Sequence, residues 1–282
     1  MSHKVAAIQM VTGASVQQNL EVVEQLVNEA ASAGASLVLL PENFAVLDGG
    51  PLREFGEREG DPTALLQSFL SKQSKKHRIF LVAGTLPLIT RPRIRPGSKD
   101  VLIDDGRVRA ASLVFDSNGD IVARYDKIHL FDVEVDDKQA RYLESRSYEG
   151  GEQVASLDTP VGRLGLSVCY DLRFPELYRR LASEAVDLIT VPSAFTKSTG
   201  AAHWEVLLRS RAIENQCYIL AANQGGVHNA TRETYGNSMI VDPWGTVLDR
   251  LGEGPGVVLA TIDHEFIKEV RRKMPIEQHR RI

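Results

Sequence analysis

The stretch "RLGLSVCYDLRFPEL", residues 163–177, ends an apolar run on Cys169, one of only two cysteines in the chain. Tyr170, Asp171, Arg173 and Glu176 follow at once. Two readings compete for the thiol. Free cysteine often behaves as a small, inert core hydrophobe, and Cys217, between a helix and a β-rich run, fits that description. Cys169 instead stands at a strand end, with a helix expected over about 174–184. There a thiolate gains from helix-start N–H groups and from any nearby cation. The N–H of the following residue is also placed to meet an oxyanion.

The same pattern recurs upstream. "ASLVLLPEN" (35–43) closes an apolar strand on Glu42, and "DIVARYDK" (120–127) closes another on Lys127. Ligands of open α/β sheets bind outside the carboxyl ends of strands, which gives Glu42 a functional address, and a lysine this close to apolar neighbours can hold an ion pair in a partly dry site. The alternative for each is an ordinary strand-end charge facing water. Taken together, a carboxylate base, an ammonium and a thiol suffice for acyl transfer.

Between these points, apolar runs alternate with amphipathic stretches. Strands are predicted at "KVAAIQM", "SLVLLPE" and "IFLVAGTL", with helices at "NLEVVEQLVNEAASAG" and about "PTALLQSFLSKQSKKH". "AASLVFDSNGDIVARYDKI" predicts a hairpin turning at Asn118-Gly119. Further strands are expected at 163–168, "VDLITVPS" and "CYILAANQ", with a helix over "HWEVLLRSRAIENQ" between the last two. Trp204, Leu207, Leu208 and Ile213 form that helix's stripe, a core or subunit-contact face. Two last strands, "NSMIVDP" and "GVVLATID", are read as joined by the turn "PWG". Residues 87–106, rich in Pro, Arg and Gly, and roughly 129–153 read as long loops placed to form a pocket. No composition break divides residues 1–282, so one α/β domain of mixed sheets covered by helices is expected. The segment from about 270 reads as an extended tail and a candidate subunit contact.

The chain has 282 residues, 43% hydrophobic and 25% charged, with a formal net charge of −4. That balance offers no electrostatic case for nucleic acid or an anionic membrane, and no apolar run approaches a bilayer span. "MSHKVAAIQM" leads straight into a strand, so no targeting peptide is expected, and two cysteines fit reduced cytoplasmic thiols. Asn229-Ala-Thr231 matches a glycosylation sequon that carries no weight in that setting. Metal is not expected, since H-E-x-x-H, C-x-x-C and close His pairs are absent; neither nucleotide fingerprint occurs. Gly165-Leu-Ser167-Val-Cys169 imitates a G-x-S-x-G elbow, but Ser167 falls inside the strand.

"LLPEN" (39–43), "DKIHLFD" (126–132) and "VCYDLRFPELYR" (168–179), in this order, resemble the carbon–nitrogen hydrolase (nitrilase) superfamily. The resemblance spans essentially the whole chain. It implies a four-layer α-β-β-α sandwich, pairing into dimers or higher homo-oligomers, with no cofactor. It also implies roles: Glu42 as general base, Cys169 as nucleophile, Lys127 with the Tyr170 N–H as oxyanion donors, and Glu144 in "RYLESRSYEGGE" as a second glutamate. "PSAFTKSTGAAHWEVLLRSRAIENQCYILAANQ" and "YGNSMIVDPWGTVL" further resemble the branch that hydrolyses deaminated glutathione. An ω-amidase acting on 2-oxoglutaramate, an N-carbamoyl amino acid hydrolase and a catalytically silent binding protein on the same fold are the alternatives. Two departures from the family pattern stand out: Gly150-Gly151 where relatives carry Pro-Gly, and "VRAASLVFD" where relatives often carry Tyr-Asn. A small 2-oxo-acid amide presents a carboxylate, for which Arg173 is the candidate fork unless it pairs with Glu176 or Asp171. Phe195, Thr196 and Thr199 are candidates to line the pocket.

Overall fold

The computed structural model describes residues 3–47, 50–93 and 100–281. The chain opens with β1 (His3–Gln9), α1 (Val16–Ser32), β2 (Ala35–Leu39), α2 (Leu65–His77), β3 (Phe80–Val82) and β4 (Leu86–Leu88). Short strands β5 (Thr90–Arg91) and β6 (Val101–Leu102) pair with each other, and β7 (Arg109–Phe115) and β8 (Ile121–Asp126) form the expected hairpin. A small ribbon follows, β9 (Asp132–Glu134) with β10 (Arg141–Leu143). The second half runs β11 (Ser156–Thr159), β12 (Gly162–Leu166), α3 (Pro175–Ser183), β13 (Leu188–Ser193), α4 (Lys197–Asn215) and β14 (Tyr218–Asn223). It closes with β15 (Met239–Val241), β16 (Val247–Arg250), β17 (Gly256–Ile262), α5 (His264–Lys273) and α6 (Ile276–His279).

One sheet has the order β17-β1-β2-β3-β7-β4, with β8 also paired to β7; the other has the order β11-β12-β13-β14-β15-β16. Period-2 alternation sorts the side chains of the first sheet into two cores. Ala6, Ile8, Val38 and Leu40 point outward into a cluster with Leu20, Val23, Val27, Leu66 and Leu70 of α1 and α2. Val5, Ala7, Leu37 and Leu39 point the other way, into a core shared with Leu166, Ile189 and Ile219 of the second sheet. Trp204 and Leu208 of α4, with Leu177 and Leu181 of α3, belong to that same contiguous core. The result is the four-layer α-β-β-α sandwich, built as a single domain. Among the described residues no helix is long and apolar enough to cross a membrane.

Several expectations change. Residues 87–106 are not one loop: β4, β5 and β6 fall within or across them, while 94–99 lie outside the described residues. These strands are too short to show alternation, and Pro87 is tolerated because β4 ends the sheet order. Helix α4 begins at Lys197, not His203, because Thr196 caps it by accepting from the Thr199 N–H at 3.4 Å. The small polar run before Trp204 has no stripe to reveal a helix. Ile213, counted on that stripe, is 44% exposed. The "PWG" turn joins β15 to β16, whereas β17 crosses back to pair antiparallel with β1. The tail from about 270 is helical in α5 and α6 rather than extended: Asp263 caps α5, and Ile267 and Val270 anchor it in the core.

Candidate active site

Each reactive side chain leaves the end of a packed strand. After β2 the chain passes Pro41 and reaches Glu42, where the backbone is held from two directions. Thr85 Oγ1 accepts the Asn43 N–H at 2.9 Å, and the Gln224 amide donates to the Glu42 carbonyl at 2.9 Å. Gly84 (φ +55°) allows this approach, since a Cβ there would sit 2.0 Å from the Pro41 carbonyl oxygen. Lys127 follows β8 directly. Its ammonium donates to Glu42 Oε1 and to both carboxylate oxygens of Glu144, at 2.8 Å each. Glu144 Oε2 also accepts the Phe131 N–H at 2.6 Å.

Cys169 opens a 3-10 turn, Cys169–Arg173, with φ of +49°. A left-handed conformation in a non-glycine residue stores strain that only a well-determined surrounding sustains. Asp171 supplies much of that determination. Its fully buried carboxylate accepts the Val168 N–H at 2.8 Å, the Tyr125 hydroxyl at 2.7 Å and the His129 N–H at 3.1 Å, with His129 Nδ1 at 2.7 Å. Tyr125 and His129 flank Lys127, and Val168 precedes Cys169. One carboxylate therefore ties the lysine segment to the cysteine turn.

The electrostatics follow from burial. Desolvation pushes the Cys169 thiol well above its ordinary range, and the neighbouring Glu42 charge adds to the push while Lys127 opposes it. Burial and the Glu42 charge thus work against the thiolate, while Lys127 and the Ala194 backbone favour it. Burial alone would lower Lys127, yet the Glu144 and Glu42 charges raise it well above the usual lysine value. Burial raises Glu144, with Glu42 reinforcing and Lys127 opposing. A thiol in hydrogen-bond reach of a carboxylate, beside a locked ammonium, can lose its proton to that carboxylate as it attacks.

These groups open on a pocket of about 330 Å³ whose walls include Glu42, Lys127, Glu144, Cys169, Tyr170 and Arg173. Phe195, Thr196 and Thr199 line it too, so the structure brings all nine sequence-derived candidates together. Arg173 pairs with neither Glu176 nor Asp171; among the described residues it has no carboxylate partner. Its Nη1 lies 3.2 Å from His203 Nδ1, and its guanidinium sits 5.5 Å from the Phe195 ring centroid and 6.0 Å from that of Tyr170. The Thr196 and Thr199 hydroxyls bond each other at 2.8 Å. Of the two expected pocket loops, 129–153 contributes; the described part of 87–106 does not, and residues 42–47 and 50–52 contribute to the walls. Sequence reasoning missed Tyr148, Tyr142 and Arg232 in the walls. Asn43 had a positional cue beside Glu42, and the Tyr148 hydroxyl donates to its Oδ1 at 3.3 Å.

Residues 4–272 match the carbon-nitrogen hydrolase family, and the chain belongs to it. Deaminated glutathione amidase of Yersinia enterocolitica is 42% identical over 98% of this chain and 92% of its own length. The NitFhit protein of C. elegans superposes with a TM-score of 0.84 at 35% identity, covering 99% of this chain, which spans 65% of that one. A Glu→Gln variant of an amidase from Nesterenkonia sp. AN1, 25% identical with a TM-score of 0.74 over 98% of this chain and 99% of its own, shows acrylamide added at its active-site cysteine. The chain is a hydrolase of carbon–nitrogen bonds, an amidase.

Proposed function

We propose that the protein hydrolyses the amide of deaminated glutathione through a thioester on Cys169. The observation that carries the reading is the convergence of Glu42, Lys127 and Glu144 in one buried ion-pair cluster beside the Cys169 thiol. Glu42 takes the thiol proton as sulfur bonds to the amide carbon. The Lys127 ammonium and the Tyr170 N–H meet the oxyanion, and a preorganised donor of this kind contributes about 3 kcal/mol to lowering the barrier. Collapse breaks the C–N bond, and the amine leaves with the proton held by Glu42. Water then attacks the thioester, Glu42 again acting as base, and the released thiol recovers its proton. Glu144 grips Lys127 with both oxygens, keeping it charged and aimed.

Arg173, free of any carboxylate partner among the described residues, supplies the fork for the 2-oxo-acid carboxylate. Similarity to deaminated glutathione amidases supports that substrate over the shorter 2-oxoglutaramate. The test is incubation with deaminated glutathione, followed by intact-mass analysis and product assay. A transient acyl adduct on Cys169 and release of Cys-Gly are expected. Turnover of 2-oxoglutaramate or an N-carbamoyl amino acid in its place would redirect the substrate, and absence of any adduct would sink the mechanism.

A further inference from the structure

The pocket holds a second guanidinium that the mechanism does not use. Arg232 sits near the tip of a small hairpin closed by the Val227–Glu233 bridge. Asn229 Oδ1 accepts the Thr231 and Arg232 N–H groups at 2.8 Å each, and the His228 N–H donates to the Arg232 carbonyl at 3.0 Å. The loop is thus ordered before any ligand enters. Arg232 Nη2 donates to the Ala194 carbonyl at 3.1 Å, and the guanidinium lies 4.7 Å from the Tyr142 ring centroid. Its Nε is buried without a partner, and no carboxylate among the described residues pairs with it.

A row of aromatic contacts runs from one arginine to the other. Tyr170, beside Arg173, meets Phe131 edge-on at 5.0 Å, and Phe131 meets Tyr142 at 5.2 Å. Arg173 lies in the cysteine's own turn, against Tyr170 and Phe195. Arg232 stacks on Tyr142 and donates to the carbonyl of Ala194, the residue before Phe195. A guanidinium in the pocket wall with no carboxylate partner among the described residues suits a second anion, as proposed for Arg173.

We propose that Arg232 forms the leaving-group subsite, binding the terminal carboxylate of the short peptide released as the amine. This rests on the reading that the substrate is a 2-oxo-acid amide of a dipeptide. Such a substrate carries a carboxylate on each side of the scissile bond, and the pocket offers one unpaired guanidinium for each.

The experiment compares three amides: deaminated glutathione, the same molecule with its terminal carboxylate converted to carboxamide, and 2-oxoglutaramate. For the wild-type protein, kcat/KM should fall about ten- to a hundredfold on going from acid to carboxamide, chiefly through KM. Arg232→Gln should lose a similar factor on the acid and then treat acid and carboxamide alike. Arg232→Lys should keep part of the preference, retaining charge without the fork. A wild-type protein that hydrolyses deaminated glutathione but ignores its terminal carboxylate overturns the Arg232 assignment alone. An Arg232→Gln variant that still prefers the acid by the wild-type factor does the same. Turnover of 2-oxoglutaramate without turnover of deaminated glutathione removes the substrate reading and the subsite with it. The acid–carboxamide comparison needs no variant, so it stands even if Arg232→Gln fails to fold.

Discussion

Cys169 and Cys217 share almost every property that a sequence reader can weigh. Both thiols are buried next to an apolar strand, and burial raises both, Cys217 to about 12. A shifted thiol is therefore no mark of function by itself. The two differ in backbone and company. Cys217 enters β14 from a helix end with ordinary backbone, at van der Waals distance from the core. Cys169 is held at φ +49° beside Glu42 and Lys127, in the wall of the pocket. What sets Cys169 apart is an adjacent base and a strained presentation, not the upward shift that both thiols share.

Substitution tests that contrast directly. Cys169→Ser should lower kcat/KM by about 10⁴-fold or more while thermal unfolding stays near wild type; near-normal turnover would erase the distinction. Glu42→Gln should cost about 10³-fold in kcat by removing the base. The same change removes a negative neighbour while Lys127 stays, so the Cys169 thiolate becomes easier to form. The pH midpoint of iodoacetamide alkylation at Cys169 should then move down, and an upward or absent shift would contradict the electrostatic account. Arg173→Lys should raise KM about tenfold with a smaller change in kcat, read from steady-state kinetics on deaminated glutathione. Cys217→Ala should leave kcat/KM within about twofold and cost roughly 1–2 kcal/mol in urea unfolding, as a modest cavity does.

The parts of the site that end long strands were legible in the sequence because an apolar run stopping on a charge or a thiol is visible without coordinates. Glu42, Lys127 and Cys169 are of that kind. Asp171 entered the sequence reading only as one possible partner of Arg173, whereas its bonds go to Tyr125, His129 and Val168. A carboxylate that bridges two strand ends leaves no local pattern. Arg232 left none either, since a hairpin tip has no periodicity and its pocket address comes from the return of the chain past Ala194. Alternation alone gave mixed sheets covered by helices; the four-layer sandwich was implied by the family resemblance. The sheet to which the last strand belongs was not legible, because period-2 patterning reports a face and says nothing of a neighbour.

That last strand carries a consequence for dissecting the protein. β17 hydrogen-bonds along the whole of β1, from His3 opposite Ile262 to Gln9 opposite Gly256. The chain therefore cannot be cut into an amino-terminal and a carboxyl-terminal half that match its two sheets. A fragment ending between β10 and β11 would leave β1 as a bare edge flanked by Val5, Ala7 and Ile8, a template for pairing with other chains. Such a fragment is expected to aggregate when made alone and to become tractable when the complementary piece, carrying β17, is co-expressed. Recovery of amide hydrolysis on mixing would then report closure of that edge, because Glu42 and Lys127 sit on one piece and Cys169 on the other.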